Sequence, residues 1–201
     1  MPRTKKEADV RRGEILGVTL ELISERGIAA LRGADVAQRL GISSALVFYH
    51  FENLDNLIVS AFRYATERDL VALDDLLAAD APSTLERLRA ALREYGPTGS
   101  AQSWRLWIEG WSAGLRSESL RSVIHSLDER WRAVIAELIA DGVRLGEFRS
   151  EDPVGAAWRL TALIDGLAVQ RVAFDNPVIR SRAETWVDSA LRAEVGLTPG
   201  A

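Results

Sequence analysis

The 201-residue chain contains no cysteine, which excludes disulfides, thiolate metal sites and cysteine nucleophiles. Histidine is nearly absent as well. The two copies, His50 and His125, lie far apart, and neither belongs to a metal-ligand pair such as H-E-x-x-H. The sequence has no G-x-S-x-G nucleophile motif and no glycine-rich phosphate loop. We therefore expect no metal, no cofactor and no catalytic residues, and the sequence predicts that the protein is not an enzyme.

Long apolar runs are also missing. No window approaches the roughly 18 uninterrupted apolar residues that read as a membrane span. The N-terminus, with Arg3, Lys5 and Lys6, is charged and lacks the apolar stretch of a signal peptide. We expect a cytoplasmic protein that does not contact a membrane. A hydrophobic content of 47% is ordinary for a globular protein and sufficient for a core.

Lysine occurs only twice, as Lys5 and Lys6 at the N-terminus. The whole chain has a net charge of −4, which is unusual for a protein that binds nucleic acid. The charge is unevenly divided, however. Residues 1–51 carry eight Lys and Arg against six Asp and Glu, a net of +2, whereas the other 150 residues carry 17 against 23, a net of −6. A basic front on an acidic body fits a protein that contacts DNA at one end; the alternative is a solvated basic tail.

No segment shows the alternating pattern of a β-strand, and no internal repeat is present. Apolar residues recur at helical spacing along the chain, so the sequence predicts an all-α fold. We predict a basic arm over residues 1–8, two short helices between residues 33 and 51, and longer helices over about 8–26, 53–78, 83–95, 103–115, 119–145, 153–174 and 177–195. The N-terminal domain is assigned to residues 1–52 and a larger helical domain to residues 53–201.

The two short helices are joined by a tight turn. Gly41 is placed to end the first, because glycine adopts the left-handed conformation of a C-cap without a Cβ penalty. Ser43 is placed to cap the second. Small residues at Ala37 and Gly41 let the two helices cross closely. This spacing predicts a helix-turn-helix, whose second helix can lie in the DNA major groove.

The same stretch resembles the DNA-binding domain of the TetR family of bacterial repressors. The likeness rests on Val36-Ala37, Gly41-Ile42-Ser43, Val47-Phe48-Tyr49-His50-Phe51 and Leu57. The chain departs from the family pattern at three positions, where a capping threonine, a recognition-helix tyrosine and a phosphate-contacting lysine are replaced by Gly33, Phe48 and Leu54. Each replacement removes a hydroxyl or a charge that grips the DNA backbone. Operator affinity is therefore expected to be modest or to be carried by other residues.

We predict that DNA contacts come from the exposed face of the second helix and from basic or polar groups near it. Serines can donate to phosphates or base edges, and Ala45 or Leu46 can pack on a thymine methyl group. Tyr49 can bond a phosphate, and His50 either does the same or packs inside the domain. The predicted DNA-binding residues are Lys5, Lys6, Arg32, Gly33, Ser43, Ser44, Ala45, Leu46, Tyr49 and His50.

Four segments of the C-terminal half carry a second likeness: the Trp104–Trp111 helix, Glu129-Arg130-Trp131, Gly146-Glu147-Phe148 and Leu163-Ile164-Asp165-Gly166-Leu167. With them this half resembles the ligand-binding domain of choline-responsive, BetI-like members of the same family. All six tryptophans lie beyond residue 103. Trp104, Trp107 and Trp111 fall at i, i+3 and i+7, on one helical face. They could line a pocket for a small hydrophobic or aromatic effector, or for a quaternary ammonium held by cation–π attraction; the alternative is a packed core or dimer seam. The predicted effector pocket comprises Trp104, Trp107, Trp111, Tyr95, Glu109, Trp131 and Gln170.

The last two predicted helices carry apolar faces that could pair with a second copy or complete the monomer core. The family resemblance favours a homodimer. The predicted interface residues are Leu160, Leu163, Leu167, Trp186 and Ala190. Asp165, in the same mostly apolar stretch, is expected to find a local partner.

Taken with the resemblance, these features predict a DNA-binding transcriptional regulator. We expect a repressor that binds a palindromic, double-stranded operator as a homodimer and is released by a small-molecule effector. The alternative is a helical ligand-binding or scaffold protein with weakened DNA contacts. A steep salt dependence of DNA affinity separates the two, because phosphate contacts release counterions.

Overall fold

The computed structural model describes residues 5–79, 81–96 and 101–197. Within these ranges the chain forms nine α-helices and no strand, so the all-α prediction is confirmed. The helices are α1 (Lys5–Arg26), α2 (Gly33–Leu40), α3 (Ser44–Phe51), α4 (Leu54–Ala78), α5 (Thr84–Tyr95), α6 (Ala101–Gly114), α7 (Glu118–Arg144), α8 (Pro153–Val172) and α9 (Pro177–Glu194). Their bounds lie close to the predicted ones.

Helix α1 begins earlier than predicted, at Lys5 instead of about Ala8. The residues between them are good helix formers, and no glycine or proline interrupts them. The basic arm predicted over residues 1–8 is therefore corrected, because the chain is helical from Lys5 onward. The side chains of Lys5 and Lys6 lie outside the described part of the structure.

The helix starts follow from side chains that accept hydrogen bonds from free backbone N–H groups. Ser83 Oγ accepts from Glu86 N at 3.2 Å and so begins α5, as predicted. Asp152 Oδ1 accepts from Gly155 N at 2.9 Å, with Pro153 in the first turn of α8.

The described residues pack into two compact units. The first contains α1, α2, α3, the part of α4 up to Asp69, and the segment Arg105–His125 from α6 and α7. Its core includes Ile15, Leu22, Val36, Val47, Leu57, Phe62, Leu106 and Ile124. This unit extends past the boundary predicted at residue 52, because α4 and the second half of α6 bury apolar side chains in the same core as the helix-turn-helix.

Gly110 permits the close packing of α6 in this first unit. A Cβ at this position would lie 2.6 Å from Phe62 Cε1 and 2.8 Å from Ile124 Cδ1. The absence of a side chain therefore lets α6 approach α4 and α7 closely.

The second unit contains α4 from Leu70, α5, the start of α6 up to Trp104, α7 from Ser126, and helices α8 and α9. Its buried residues include Leu73, Leu88, Leu92, Trp131, Ile135, Ile139, Phe148, Leu160, Ile164 and Leu191. Helices α8 and α9 pack against each other, with Leu167, Ile179 and Ala183 buried together. None of the helices in the described ranges combines the length and the apolar character that a membrane crossing needs.

Candidate functional site

The turn between α2 and α3 has the geometry expected from its residues. Gly41 adopts φ +64°, in the left-handed region, and Ile42 N donates to Ala37 O at 3.0 Å. Ser43 Oγ then accepts from Leu46 N at 3.2 Å and caps α3. These contacts fix α3 immediately after α2, as a helix-turn-helix requires.

Helix α3 buries Val47 and Phe51 and turns its opposite face outward. Of the predicted DNA-binding residues on or beside this helix, Ser43, Ala45 and Tyr49 are exposed, and Tyr49 is 81% exposed. The half-buried ones are Ser44, Leu46 and His50. The exposed face of α3 therefore carries Ala45 and Tyr49, while the opposite face is anchored in the core.

His50 is partly enclosed by its own helix and by α1. Arg12 Nη1 donates to His50 O at 2.8 Å, and the Arg12 guanidinium lies 4.2 Å from the centre of the Phe51 ring. Arg12 thus fixes the end of α3 against α1 by a hydrogen bond and a cation–π contact. Sequence reasoning missed Arg12, because nothing in the spacing of residues 12 and 50 indicates that they meet.

Gly33 and Phe48, two of the departures from the family pattern, form a contacting pair. A Cβ at Gly33 would lie 2.5 Å from Phe48 Cζ, closer than real Cβ contacts. Gly33 is buried, so the Phe48 ring fills the space that a threonine side chain would need. The third departure, Leu54, packs against the apolar core of the same unit. All three departures therefore serve packing.

Arginines around the helix-turn-helix are paired with carboxylates. Arg39 Nη2 lies 2.9 Å from Glu25 Oε2, and Arg26 Nη1 lies 3.7 Å from Asp35 Oδ1. The Arg39 guanidinium lowers the pKa of the Glu25 carboxyl, chiefly through their hydrogen bond. Arg32 is exposed, but its Nη1 donates to Leu31 O at 2.9 Å. A phosphate must replace such exposed partners before these guanidinium groups can bind it, and surface ion pairs are weak enough to allow that.

Three of the predicted pocket aromatics come together in the second unit. The Tyr95 ring lies 6.1 Å from Trp104 and 5.6 Å from Trp131, edge to face with both. The two indoles are buried, at 6% and 5% exposure. We call Tyr95, Trp104 and Trp131 the aromatic cluster. Aromatic rings have electron-rich faces, which attract organic cations.

Carboxylates face this cluster at the Tyr95 hydroxyl. Tyr95 Oη donates to Asp165 Oδ1 at 2.8 Å and lies 3.4 Å from Asp128 Oδ1. Asp128 is itself paired with Arg132, whose Nη1 lies 2.5 Å from Asp128 Oδ2. The predicted local partner of Asp165 is therefore the Tyr95 hydroxyl.

The two carboxylates differ in how their charge is balanced. Arg132 pairs with Asp128 and lies 3.8 Å above the Trp158 ring. Asp165, in contrast, forms no ion pair with a cation among the described residues. Burial raises the pKa of Asp165 to about 6, against the lowering effect of the Tyr95 hydrogen bond, and the nearby Asp128 charge adds to the rise. Burial and the two carboxylates also raise the pKa of Tyr95.

The other predicted pocket residues lie elsewhere. Trp107 belongs to the first unit, where its ring lies 5.8 Å from Phe62, and Trp111 packs against the same core. Glu109 also belongs to the first unit, and Gln170 is exposed on α8. The three tryptophans of α6 share one helical face, but the face is divided between the two units, which spacing in the sequence does not reveal.

The predicted interface residues fall into two groups. Leu160 and Leu167 are buried within the chain, at 1% and 7% exposure, so they fill its own core. Trp186 is 39% exposed, and Leu163 and Ala190 are half-buried. The exposed face of α8 carries a different set, at four-residue spacing: Trp158, Ala162, Gly166 and Gln170.

Within the described ranges, no three His, Asp or Glu side chains are grouped to hold a metal ion. The arrangement can instead offer an exposed recognition helix in one unit and an aromatic cluster with an acidic group in the other.

Comparison with known proteins agrees with both halves. The family model described as "Bacterial regulatory proteins, tetR family" matches residues 15–61. The family model described as "BetI-type transcriptional repressor, C-terminal" matches residues 84–196. The HTH-type transcriptional regulator BetI of Burkholderia thailandensis is 29% identical over 190 residues, which cover 91% of this chain and 94% of the relative. BetI of Burkholderia mallei is 28% identical over 194 residues, covering 93% and 96%.

Solved structures resemble the whole chain. A transcriptional regulator from Saccharomonospora viridis in complex with choline has a TM-score of 0.86 and 26% identity, over 93% of this chain and 98% of that one. A TetR transcription regulator from Haloarcula marismortui shares the fold, with a TM-score of 0.84 and 23% identity, over 93% of this chain and 99% of that one. These relatives are regulators and not enzymes. The chain belongs to the TetR family of transcriptional regulators, with an N-terminal helix-turn-helix and a BetI-type C-terminal domain.

Proposed function

We propose that this protein is a repressor that binds a palindromic operator as a homodimer and is released when a small organic cation binds its second unit. The observation that carries the effector part is a half-buried carboxylate, Asp165, beside three aromatic rings. The DNA-binding part rests on the exposed face of α3 and on the family to which the chain belongs.

DNA recognition is assigned to α3. Its exposed face carries Ala45 and Tyr49, with Ser43 at its start. Ala45 has the size to contact a thymine methyl group, and the Tyr49 hydroxyl can donate to a phosphate. Leu46 and Ser44, which are half-buried, supply further DNA contacts at the start of the helix.

The effector is assigned to the class of quaternary ammonium ions, of which choline is the probe to use first. The rings of Tyr95, Trp104 and Trp131 supply cation–π attraction, which is strongest where the cation is desolvated. Asp165 supplies a negative charge that a bound cation balances. A neutral hydrophobic or aromatic effector leaves that charge unbalanced, so the acidic group favours a cation. The choline complex of the Saccharomonospora viridis relative supports the same class.

The homodimer is assigned to the exposed faces of α8 and α9. Ala162 and Gly166 are small and exposed on α8, and a Cβ at Gly166 would meet no atom within 4 Å. This space allows the backbone of a second copy to approach closely, and Trp186 on α9 adds exposed apolar surface. Two recognition helices are needed because operator half-sites lie about 34–36 Å apart, one turn of DNA.

Release follows from differential binding. The operator binds one state of the dimer and the effector favours another, so each ligand weakens the other by the same factor. An effector that bound both states equally would release nothing.

The first test is binding of the purified protein to DNA from upstream of its own gene, compared with scrambled DNA at matched salt. We expect selective binding. The logarithm of the binding constant should fall steeply with the logarithm of the salt concentration, with a slope of about −0.9 for each phosphate that the protein neutralises. Tyr49→Ala should weaken binding by about 1 kcal/mol, or roughly fivefold, through the lost hydrogen bond. Val71→Ala, which shortens a 61% exposed apolar side chain of α4 in the second unit, is the control and should leave affinity unchanged.

No selectivity at any salt concentration, from a folded dimer and with other candidate operators also tested, would contradict this function. It would favour the alternative of a helical ligand-binding protein with weakened DNA contacts. Choline binding by that protein, measured by calorimetry, would then be its remaining activity.

A further inference from the structure

Helix α6 carries residues of both units. Trp104, near its start, belongs to the aromatic cluster of the second unit, and the helix from Arg105 onward belongs to the first. Glu109 lies in this later part. The sequence predicts Glu109 as a residue of the effector pocket, but the structure places its carboxylate at the end of α1.

The Glu109 carboxylate binds the segment that leaves α1. Ile28 N donates to Glu109 Oε2 at 3.0 Å. Gly27 has φ +80°, and a Cβ there would lie 3.0 Å from Oε1 and 3.1 Å from Oε2. Glycine therefore serves twice at this position, because it ends α1 in the left-handed conformation and leaves room for the carboxylate.

The segment held by Glu109 leads directly into the helix-turn-helix. Leu31 N donates to Ile28 O at 3.2 Å, and Leu31 is buried at 2% exposure. Helix α2 begins two residues later, at Gly33, and Gly33 contacts the Phe48 ring of α3. A short chain of contacts thus runs from α6 through Ile28 and Leu31 to α3.

Two opposing electrostatic contributions act on the Glu109 carboxylate at the end of α1. The C-terminal end of a helix carries partial negative charge, which disfavours a carboxylate there. Glu109 sits at that end of α1, and the Ile28 hydrogen bond offsets the repulsion. A shift of α6 that lengthens this hydrogen bond would leave only the unfavourable contribution.

We propose that Glu109 is a positioning residue for operator binding. Its carboxylate holds the segment between α1 and α2 in the conformation that presents α3 to DNA. Loss of the Glu109–Ile28 hydrogen bond is the step by which an effector-induced change in α6 weakens operator binding. This inference rests on the proposed function and adds the residue that couples its two ligands.

The test compares Glu109→Ala, Glu109→Gln and Ser112→Ala in the full-length dimer. Glu109→Gln keeps an oxygen acceptor for Ile28 N, and Ser112 is an exposed residue of the same helix whose removal serves as the control. Operator affinity is measured by fluorescence anisotropy with and without choline, and choline affinity of the DNA-free protein by calorimetry.

For the wild type we expect choline to weaken operator binding by a factor in the usual range of about 5–150. Glu109→Ala should bind the operator about tenfold more weakly without choline, because a hydrogen bond to a charged group is lost. Its further weakening by choline should shrink toward onefold, since the bond that choline breaks is already absent. Glu109→Gln should restore most of the wild-type response, and Ser112→Ala should match the wild type.

The outcomes separate this inference from the proposed function. Wild-type protein that binds no operator, or does not respond to choline, overturns both. A wild-type response that Glu109→Ala retains in full overturns the inference alone. Hydrogen exchange provides a readout that needs no ligand: the Ile28 amide should exchange at least about tenfold faster in Glu109→Ala, and unchanged protection also overturns the inference.

Discussion

Asp165 has an environment that few carboxylates share. Its side chain meets the Tyr95 hydroxyl on α5 and the charges of Asp128 and Arg132 on α7. Arg132 forms its ion pair with Asp128, so its charge only partly offsets the effect of burial on Asp165. Burial thus raises the pKa of Asp165 to about 6, so the carboxyl titrates just below neutral pH.

Effector binding should therefore depend on pH through Asp165. A quaternary ammonium keeps its charge at every pH and favours the ionised carboxylate, so binding below pH 6 must displace a proton from a group with a pKa of about 6. We expect choline affinity to be constant above pH 7 and to fall by up to about tenfold per pH unit below 6. Calorimetry from pH 5 to pH 8 measures this directly.

Asp165→Asn isolates the titrating group. This variant should bind choline about tenfold more weakly at pH 7.5 and show little pH dependence, because the amide does not ionise. Glu137→Gln, at an exposed position of α7, is the control and should behave like the wild type. A fall in affinity of Asp165→Asn parallel to that of the wild type would mean that another group titrates.

The same raised pKa affects stability, with a definite sign. The folded state prefers the protonated Asp165, so this contribution is complete below the unfolded pKa of about 4. It is lost as pH rises through the folded pKa of about 6. We expect the free energy of unfolding of the wild type to fall relative to Asp165→Asn between pH 4 and about pH 7, as urea melts at each pH would measure. A constant difference would argue against the shift.

At the scale of elements, α2 and α3 are locked together by a glycine and an aromatic ring. A Cβ at Gly33 would lie 2.5 Å from Phe48 Cζ. Gly33→Ala should therefore lower the free energy of unfolding by about 1–3 kcal/mol through overpacking, despite the higher helix propensity of alanine. Phe48→Leu shortens the ring side chain, and the double variant should recover at least about 0.5 kcal/mol relative to the sum of the single variants.

Gly13 provides the matched control for this experiment. It lies inside α1, and a Cβ there would meet no atom within 4 Å. Gly13→Ala should be neutral or stabilising by up to about 1 kcal/mol. If Gly33→Ala and Gly13→Ala had the same effect in chemical denaturation, the Gly33–Phe48 contact would not constrain the helix pair.

The elements that the sequence predicts well are those whose determinants are local. The turn at Gly41 and the cap at Ser43 depend on neighbours within four residues, and the structure has both. Helix α1 begins at Lys5, before the predicted start at about Ala8, because the charged residues that predict an arm are also good helix formers.

Contacts between segments that lie far apart along the chain could not be predicted from the sequence. The division of α6 between two units depends on which helices surround it, so Trp104 and Trp107 were assigned to one pocket although they belong to different cores. Glu109 was interpreted as a pocket group for the same reason. Leu160 looked like an interface residue because an apolar side chain gives no sign of whether its own chain or a second copy covers it.

For the whole molecule, the proposed function assigns DNA binding to the first unit and effector binding to the second. The charge asymmetry of the sequence, with a net of +2 over residues 1–51 and −6 over the rest, matches a DNA-binding front and a body that attracts cations. Such a regulator works only if two copies act together, because a single recognition helix reads one half-site. A test of dimerisation is therefore a test of the whole proposed architecture.

Ala162→Arg tests the proposed α8 interface. Ala162 is exposed and precedes Gly166 by one turn, so an arginine there leaves the protomer's own packing intact but obstructs a second copy. We expect sedimentation to show the wild type at twice the 22.1 kDa chain mass and the variant largely at that mass. Operator affinity of the variant should fall by more than about tenfold, because each half-site then binds independently.

Ala133→Arg adds the same side chain at an exposed position of α7 and should remain dimeric with wild-type operator affinity. The two variants need not unfold at the same temperature, because a dimer gains stability from association at a given protein concentration. The mass measured by sedimentation decides whether the α8 interface is correct. An Ala162→Arg protein that stays dimeric over the same concentration range as the wild type would place the interface on another face, and the small residues of α8 would then need a different explanation.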